Sequence, residues 1–208
     1  MYKHFFKRLL DILISGIGLI CLSPVLIVLA VLVRVKLGSP IIFKQERPGL
    51  NDKIFTLKKF RTMTDERDEE GKLLPDAQRL TKFGKFRRSP SLDELTEVWN
   101  IFCGDMSLIG PRPLLISYLP YYTQREQLRH TVRPGLTGLA QISGRNLLEW
   151  DKRLEKDAEY VENLSFGLDI KIFFLTIKKV FVREDVVVDT NQIEGNLAEI
   201  RKAERESN

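Results

Sequence analysis

The sequence predicts a mainly helical α+β chain with one small β-hairpin, tied to a membrane through its N-terminal segment. Three observations carry that prediction. An uncharged run from Ile12 to Val33 is long enough for a bilayer core, which takes about 20 apolar residues as a straight helix. Residues 41–61 place two β-prone runs around a Pro-Gly turn, the pattern of a hairpin. After Arg34 the chain is rich in charge, repeats apolar residues at helical spacing and has no second run of spanning length.

Taken in order, the first element is the apolar helix, interrupted at Ser23-Pro24. Proline lacks an N–H and clashes with the carbonyl one turn back, at Ile20, so the helix should bend there. Ser23 can bond back to a freed carbonyl and soften that cost. Lys3, Lys7 and Arg8 precede the run, and Arg34, Lys36, Lys44 and Arg47 follow it. A spanning anchor usually has more Lys and Arg on its cytoplasmic flank, whereas these flanks are nearly balanced. Two readings stay open: a kinked transmembrane helix, which is the commoner class, and a segment that turns at Ser23-Pro24 and leaves by the face it entered. A cleaved signal peptide fits poorly, because its apolar region is only roughly 7–15 residues long. The chain is membrane-associated on either reading.

The hairpin follows, with Ile41-Ile42-Phe43, the turn Arg47-Pro48-Gly49-Leu50-Asn51, and Ile54-Phe55-Thr56-Leu57. Residues 62–80, with Gly71 and Pro75, read as a solvated excursion with some helix. Lys82 to Arg88 suits an interfacial helix or a solvated basic one. Pro90-Ser91-Leu92-Asp93-Glu94 starts a helix whose buried face should be Leu92, Leu95, Trp99 and Phe102. Residues 104–113, 133–138 and 141–145 read as loops, 114–129 and 147–164 as helical. Ile170 to Val182 is too short to span and reads as a buried or interface-lying helix. The expected organisation is a membrane helix over 1–38, a globular domain over 39–182 and a charged, frayed tail over 183–208.

The formal net charge of +5 suits anionic partners such as lipid head groups or a nucleotide-linked substrate. Nucleic acid is the weakest candidate, because no binding module is recognisable. Cys21 and Cys103 form neither a disulfide framework nor a metal-ligand spacing. The chain has no Walker loop, GxSxG, GxGxxG or HxxxH pattern, and His4 and His130 are isolated. This argues against P-loop hydrolysis and histidine-dependent acyl transfer. Carboxylates and cations remain, a set suited to phosphoryl transfer.

Asp93-Glu94 is the sharpest candidate pair. Adjacent carboxylates at a helix start can act as nucleophile and metal ligand or as an acid/base pair. Equally, Ser91-x-x-Glu94 is a capping box, which leaves Asp93 as the better nucleophile. Arg112, between Pro111 and Pro113, projects from a stiff loop suited to bidentate phosphate binding or simply to the surface. Lys59, Arg61, Arg87, Arg88, Arg133 and Arg145 are further cations for such a site, and Gly135, Gly138 and Gly144 would let backbone approach a ligand.

At these residues the chain resembles the bacterial sugar transferases, small monotopic phosphoglycosyl transferases that begin glycoconjugate assembly on polyprenyl phosphate. The matching features are Ser23-Pro24 in the membrane segment, Phe60-Arg61-Thr62-Met63, Arg88-Ser89 leading into Leu92-Asp93-Glu94-Leu95, Gly104 to Pro113 (Gly-Asp-Met-Ser-Leu-Ile-Gly-Pro-Arg-Pro), and Arg133 to Gly138. They run nearly end to end. The resemblance implies transfer of a sugar 1-phosphate from a UDP-sugar to undecaprenyl phosphate with release of UMP. It implies Asp93 as the nucleophile of a covalent phosphoglycosyl-aspartate, and Mg2+ as cofactor, held by Glu94 with Asp93. Arg88, Arg112, Lys59, Arg145 and Arg133 would bind substrate phosphates. It also implies a re-entrant helix broken at Ser23-Pro24, interfacial amphipathic helices, and a domain on the cytoplasmic face of the bacterial inner membrane. Within the family the likeness points to the transferases for UDP-N,N'-diacetylbacillosamine in N-linked protein glycosylation. Other UDP-sugars, for capsule, lipopolysaccharide or exopolysaccharide, are the alternative. Partners would be the UDP-sugar, undecaprenyl phosphate, membrane lipid and downstream glycosyltransferases. A non-catalytic membrane scaffold is a separate reading, distinguished by binding without nucleotide product.

Overall fold

The computed structural model describes residues 1–88, 92–144, 148–182 and 195–207. A π-turn over Tyr2–Phe6 leads into α1, Lys7–Leu37, whose 31 residues span about 46 Å at 1.5 Å per residue. Helical structure continues through Pro24 instead of breaking there. Ser23 Oγ donates to the Ile20 carbonyl at 2.7 Å, the group that proline leaves without its N–H, so the interruption costs less than a lost bond. Gly38 ends the helix with φ of 80°, donating its N–H to the Arg34 carbonyl.

The buried residues of α1 fall in two sets at helical spacing. Lys7, Asp11 and Ser15 form one, and Leu29, Val33 and Leu37 the other. Between them the helix shows lipid-type side chains to the outside, Ile20 being 75% exposed. Among the described residues it is the one helix long and apolar enough to cross a membrane.

The expected hairpin is present. Strands β1, Ile42–Pro48, and β2, Ile54–Phe60, pair antiparallel from Ile42↔Phe60 to Pro48↔Ile54. Asn51 and Asp52 carry the positive φ of the turn, a conformation that short polar side chains tolerate. The excursion after it holds isolated bridges and the short helices α2, Asp76–Arg79, and α3, Lys82–Arg88. A 3-10 turn, Leu92–Thr96, then runs into α4, Glu97–Cys103.

The face that α4 buries differs from expectation. Trp99 and Phe102 are exposed, while Asp93, Glu97, Val98, Asn100 and Ile101 point inward. Phe102 lies against Gly16 of α1 and Lys58 sits over the Trp99 ring, so this apolar side continues the apolar surface of α1. The polar Glu97 and Asn100 are buried because they are tied to the hairpin, through Lys59 and through the Thr56 and Lys58 backbone.

Two stretches expected as loops hold strands instead. β3, Ser107–Ile109, and β4, Gly135–Thr137, form a small parallel sheet. Between them lie 3-10 segments, Ile116–Tyr121 and Glu126–Thr131, in place of regular helix. The helices α5, Leu139–Ser143, α6, Trp150–Glu162, α7, Phe166–Val182, and α8, Leu197–Ser207, complete the fold. The frayed tail does not hold for α8. Leu197 is buried with Tyr118, Tyr122, Trp150 and Leu154, and Arg201 pairs with Glu126 and Asp151. The stretch 183–194 lies outside the described residues.

Both ends of α1 dock on this one body. Lys7 pairs with Asp169 of α7 at 2.6 Å, Arg8 donates to the Ile101 carbonyl, and Asp11 accepts from Ser107 Oγ and the Leu108 N–H. At the other end Leu29, Val33 and Leu37 pack with Phe60 against Phe83, Leu92 and Leu95.

Candidate active site

The site is built where the Leu92–Cys103 segment crosses the hairpin. Thr96 Oγ1 donates to the Lys58 carbonyl at 2.7 Å, and the Asn100 amide both donates to the Thr56 carbonyl and accepts from the Lys58 N–H. These bonds satisfy the edge of β2, which no third strand covers among the described residues, and fix the 3-10 turn that carries Asp93 and Glu94.

Cross-strand partners share a face, so Arg47, Gln45 and Phe43 lie on the same side of the hairpin as Phe55, Leu57 and Lys59. From it Lys59 Nζ reaches Glu94 Oε1 at 2.7 Å and Glu97 Oε1 at 3.0 Å. Arg112 donates to the same Glu94 oxygen from the opposite wall. Asp93 is 9% exposed and lies within the electrostatic reach of Arg112. Burial would raise the Glu94 carboxyl, but Arg112 and then Lys59 outweigh it and hold the group at about 2. Glu97 moves the other way: burial raises it, the Glu94 charge adds to that, and Lys59 only partly compensates.

Arg112 is held more firmly than its prolines alone would hold it. Arg129 Nη2 donates to the Arg112 carbonyl at 2.6 Å, while the same guanidinium pairs with the buried Asp157 and donates to the Tyr122 hydroxyl. The β3–β4 sheet anchors the loop from below. Gly110 donates to Thr137 O and Gly135 donates to Pro111 O. A Cβ on Gly135 would lie 2.1 Å from the Gly110 nitrogen, and one on Gly138 would lie 2.1 Å from the Gly110 oxygen. The close approach expected of these two glycines is therefore to backbone of the Arg112 loop, not to a ligand. Gly144, with φ of 154°, faces Leu148.

The structure thus brings Asp93, Glu94, Lys59 and Arg112 together. Arg133 is not brought into that cluster: it donates to the Gly104 carbonyl and lies beside Arg8 at the start of α1. Arg61 is a structural tie between the hairpin exit and the end of α1, bonding Met63 O, Ser39 O and Asp65. Arg88 closes α3, and Arg145 lies outside the described residues, as does the Ser91 half of the capping box. Sequence reasoning missed Glu97, Asn100, Arg129 and Arg47. Glu97 was visible as the residue one turn after Asp93, on the same helix face; Arg129 had no local signal.

As donors, Asp93 and Glu94 supply the hard carboxylate oxygens that Mg2+ takes. No group of three or more His, Cys, Asp or Glu side chains forms a metal cage among the described residues. Mg2+ bound through one or two carboxylates and substrate phosphates needs none, so the pair fits that ion.

The geometry defines a class: an α+β domain that carries one long apolar helix, with a carboxylate pair compensated by a lysine and a loop arginine. The chain belongs to the bacterial sugar transferase family, whose model matches residues 2–183. An uncharacterised sugar transferase of Bacillus subtilis (strain 168), EpsL, is 55% identical over 86% of this chain and 89% of its own length. The UDP-glucose:undecaprenyl-phosphate glucose-1-phosphate transferase of Klebsiella pneumoniae is 43% identical over 86% of this chain, which spans 41% of that protein. The exopolysaccharide production protein ExoY of Sinorhizobium fredii is 38% identical over 84% of each chain.

Proposed function

We propose that this chain moves a sugar 1-phosphate from a UDP-sugar to undecaprenyl phosphate, releasing UMP, through a covalent phosphoglycosyl-aspartate. The observation that carries this reading is the Asp93-Glu94 step, compensated by Lys59 and Arg112 on a domain that holds an apolar helix at both ends. The name of the Klebsiella relative points to the same donor and acceptor classes.

In this reading an Asp93 oxygen attacks the sugar-linked phosphorus, and the bond to UMP breaks with its electron pair going to UMP. An oxygen of undecaprenyl phosphate then attacks the same phosphorus, and the Asp93 carboxylate departs. Two displacements let a soluble and a lipid substrate use one site in turn. Lys59 and Arg112 offset the repulsion between a carboxylate nucleophile and an anionic diphosphate. Glu94, with Asp93, would hold Mg2+, whose chemistry here is neutralisation of the diphosphate charge. Arg88 and Arg145 are proposed to meet substrate phosphates, as their motif positions suggest.

The membrane segment is proposed to be re-entrant, with the domain on the cytoplasmic face of the bacterial inner membrane. Support comes from the docking of Lys7 and Leu37 on one body, which a straight crossing would place on opposite sides of a core about 30 Å thick. The sugar proposed from the sequence likeness is N,N'-diacetylbacillosamine, for protein glycosylation and hand-over to downstream glycosyltransferases. The named relatives favour a hexose for exopolysaccharide as the second reading.

The test is an intact-mass spectrum of the detergent-purified protein after incubation with a panel of UDP-sugars and Mg2+, without undecaprenyl phosphate. A gain of one sugar phosphate, absent in Asp93→Asn, is expected, and the sugar giving the gain names the substrate. Asp93→Asn should lower turnover by at least about a thousandfold, the scale lost when a nucleophile is removed. Unchanged turnover in that variant would sink the assignment.

A further inference from the structure

Arg47 is a cation that forms no ion pair with a carboxylate among the described residues. It stands on the site face of the hairpin, about 13 Å along the strand from the position of Lys59. Among the described residues no acidic group pairs with it. Its Nη2 donates to Gln45 Oε1 at 2.6 Å, and its Nε is buried with no acceptor. A guanidinium has five N–H donors, so most of this one's capacity is unspent. Burial, and after it the positive charge of Arg112, depress its affinity for the proton, while Tyr118, Glu97 and Tyr122 act the other way. The residue after it, Pro48, lines a small cleft together with Gly49, Arg112 and Pro113, so the hairpin tip and the Arg112 loop share one wall.

Lys59, Arg112 and Arg129 already have carboxylate partners. Lys59 is taken by Glu94 and Glu97, Arg112 by Glu94, and Arg129 by Asp157. A half-buried arginine with an unpaired Nε, within electrostatic reach of a second arginine, is a place that an anion would stabilise, and the fork of a guanidinium matches phosphate oxygens bidentately.

The two-step reading of the reaction, on which this inference rests, says which anion. Displacement at phosphorus runs with the entering and leaving oxygens in line. Asp93 enters in the first step and leaves in the second. UMP as it departs and undecaprenyl phosphate as it arrives must therefore both stand opposite Asp93, at the same place. Both are phosphate monoesters. We propose that Arg47, beside Arg112, forms the seat for that phosphate monoester.

The experiment uses the full chain in nanodiscs and measures three quantities in the wild type and Arg47→Gln: UMP affinity by calorimetry, uridine affinity, and KM for undecaprenyl phosphate. Loss of a bidentate charged contact should weaken UMP binding about tenfold or more while leaving uridine unaffected. A rise of that size confined to KM for undecaprenyl phosphate would also support the seat and assign it to the lipid phosphate. Both constants within twofold of wild type would overturn it. Should Arg47→Gln fail to fold, phenylglyoxal modification of the wild-type protein serves instead. UMP or undecaprenyl phosphate, but not uridine, is expected to slow modification at Arg47, and equal modification throughout would overturn the proposal. If the wild type releases no UMP from any UDP-sugar, the transfer reading fails and takes this seat with it. Normal turnover with an indifferent Arg47 would remove the seat alone.

Discussion

At the scale of single residues, Glu94 is the hinge of the site, because one of its oxygens takes both Lys59 and Arg112. Its ionised form is therefore much better stabilised folded than unfolded. The group titrates at about 2 against an ordinary 4.5, so its contribution to stability is present above pH 4.5 and disappears as pH falls toward 2. The melting-temperature gap between wild type and Glu94→Gln should be widest near neutral pH and narrow by about pH 3, within the window those two values define. Equal gaps at both pH values would count against the triad as the source. The carboxylate pair and the loop arginine were legible in the sequence because they are adjacent in the chain or framed by prolines. Lys59 joined them only through the hairpin register, and Arg129 only through a fold that brings a 3-10 segment under the Arg112 carbonyl.

At the scale of elements, local pattern and structure agree where an element buries its face in an ordinary way. The hairpin and the α6 and α7 helices follow their sequence patterns, although β1 runs on through Arg47 and Pro48 and the turn falls later, at Leu50–Asp52. They part company at α4. Hydrophobic spacing marked Trp99 and Phe102 as core, but the buried side of this segment mixes Val98 and Ile101 with the polar Glu97 and Asn100, and Phe102 lies against α1 instead. Apolar residues seek any environment poor in water, and here the long apolar helix α1 supplies it outside the domain core. The β3–β4 pair was hidden for another reason: three-residue strands contain too little pattern to read, and parallel pairing needs a partner far along the chain. Its glycines make a direct test possible. Gly135→Ala places a Cβ on the Gly110 nitrogen and should destabilise the protein by about 1–3 kcal/mol, as overpacking does, while displacing Arg112. Thermal melts and steady-state turnover check it; unchanged values in both would mean the backbone contact is dispensable.

At the scale of the whole molecule, the decisive feature is that α1 is clamped at both ends to one body. The N-terminal clamp is polar and buried, with Asp169 receiving Lys7, Tyr2 and Tyr160. The C-terminal clamp is apolar, built on Phe60 of the hairpin. Lys3→Cys and Ser39→Cys, introduced singly into a chain whose Cys21 and Cys103 are replaced by serine, should both react with an impermeant maleimide from the cytoplasmic side. Reaction from opposite faces would establish a spanning helix and require one clamp to open. Pro24→Ala in the same background is expected to shift the Lys3 site toward the far face, since Ser23 then has no freed Ile20 carbonyl to serve.

Much of this protein is decided by its sequence alone. The apolar run with its Ser23-Pro24 interruption, the hairpin, the Asp93-Glu94 pair and the rigid Arg112 loop are all local signals, each carried by a few consecutive residues whose backbone preferences or chemistry speak for themselves. Tertiary structure decided which cations belong to that pair, which face of α4 is core, what the glycines approach and where the last helix lies. Those outcomes depend on groups far apart in the chain coming within bonding distance. Charge and burial act through space, and no local pattern records which distant residue will supply them.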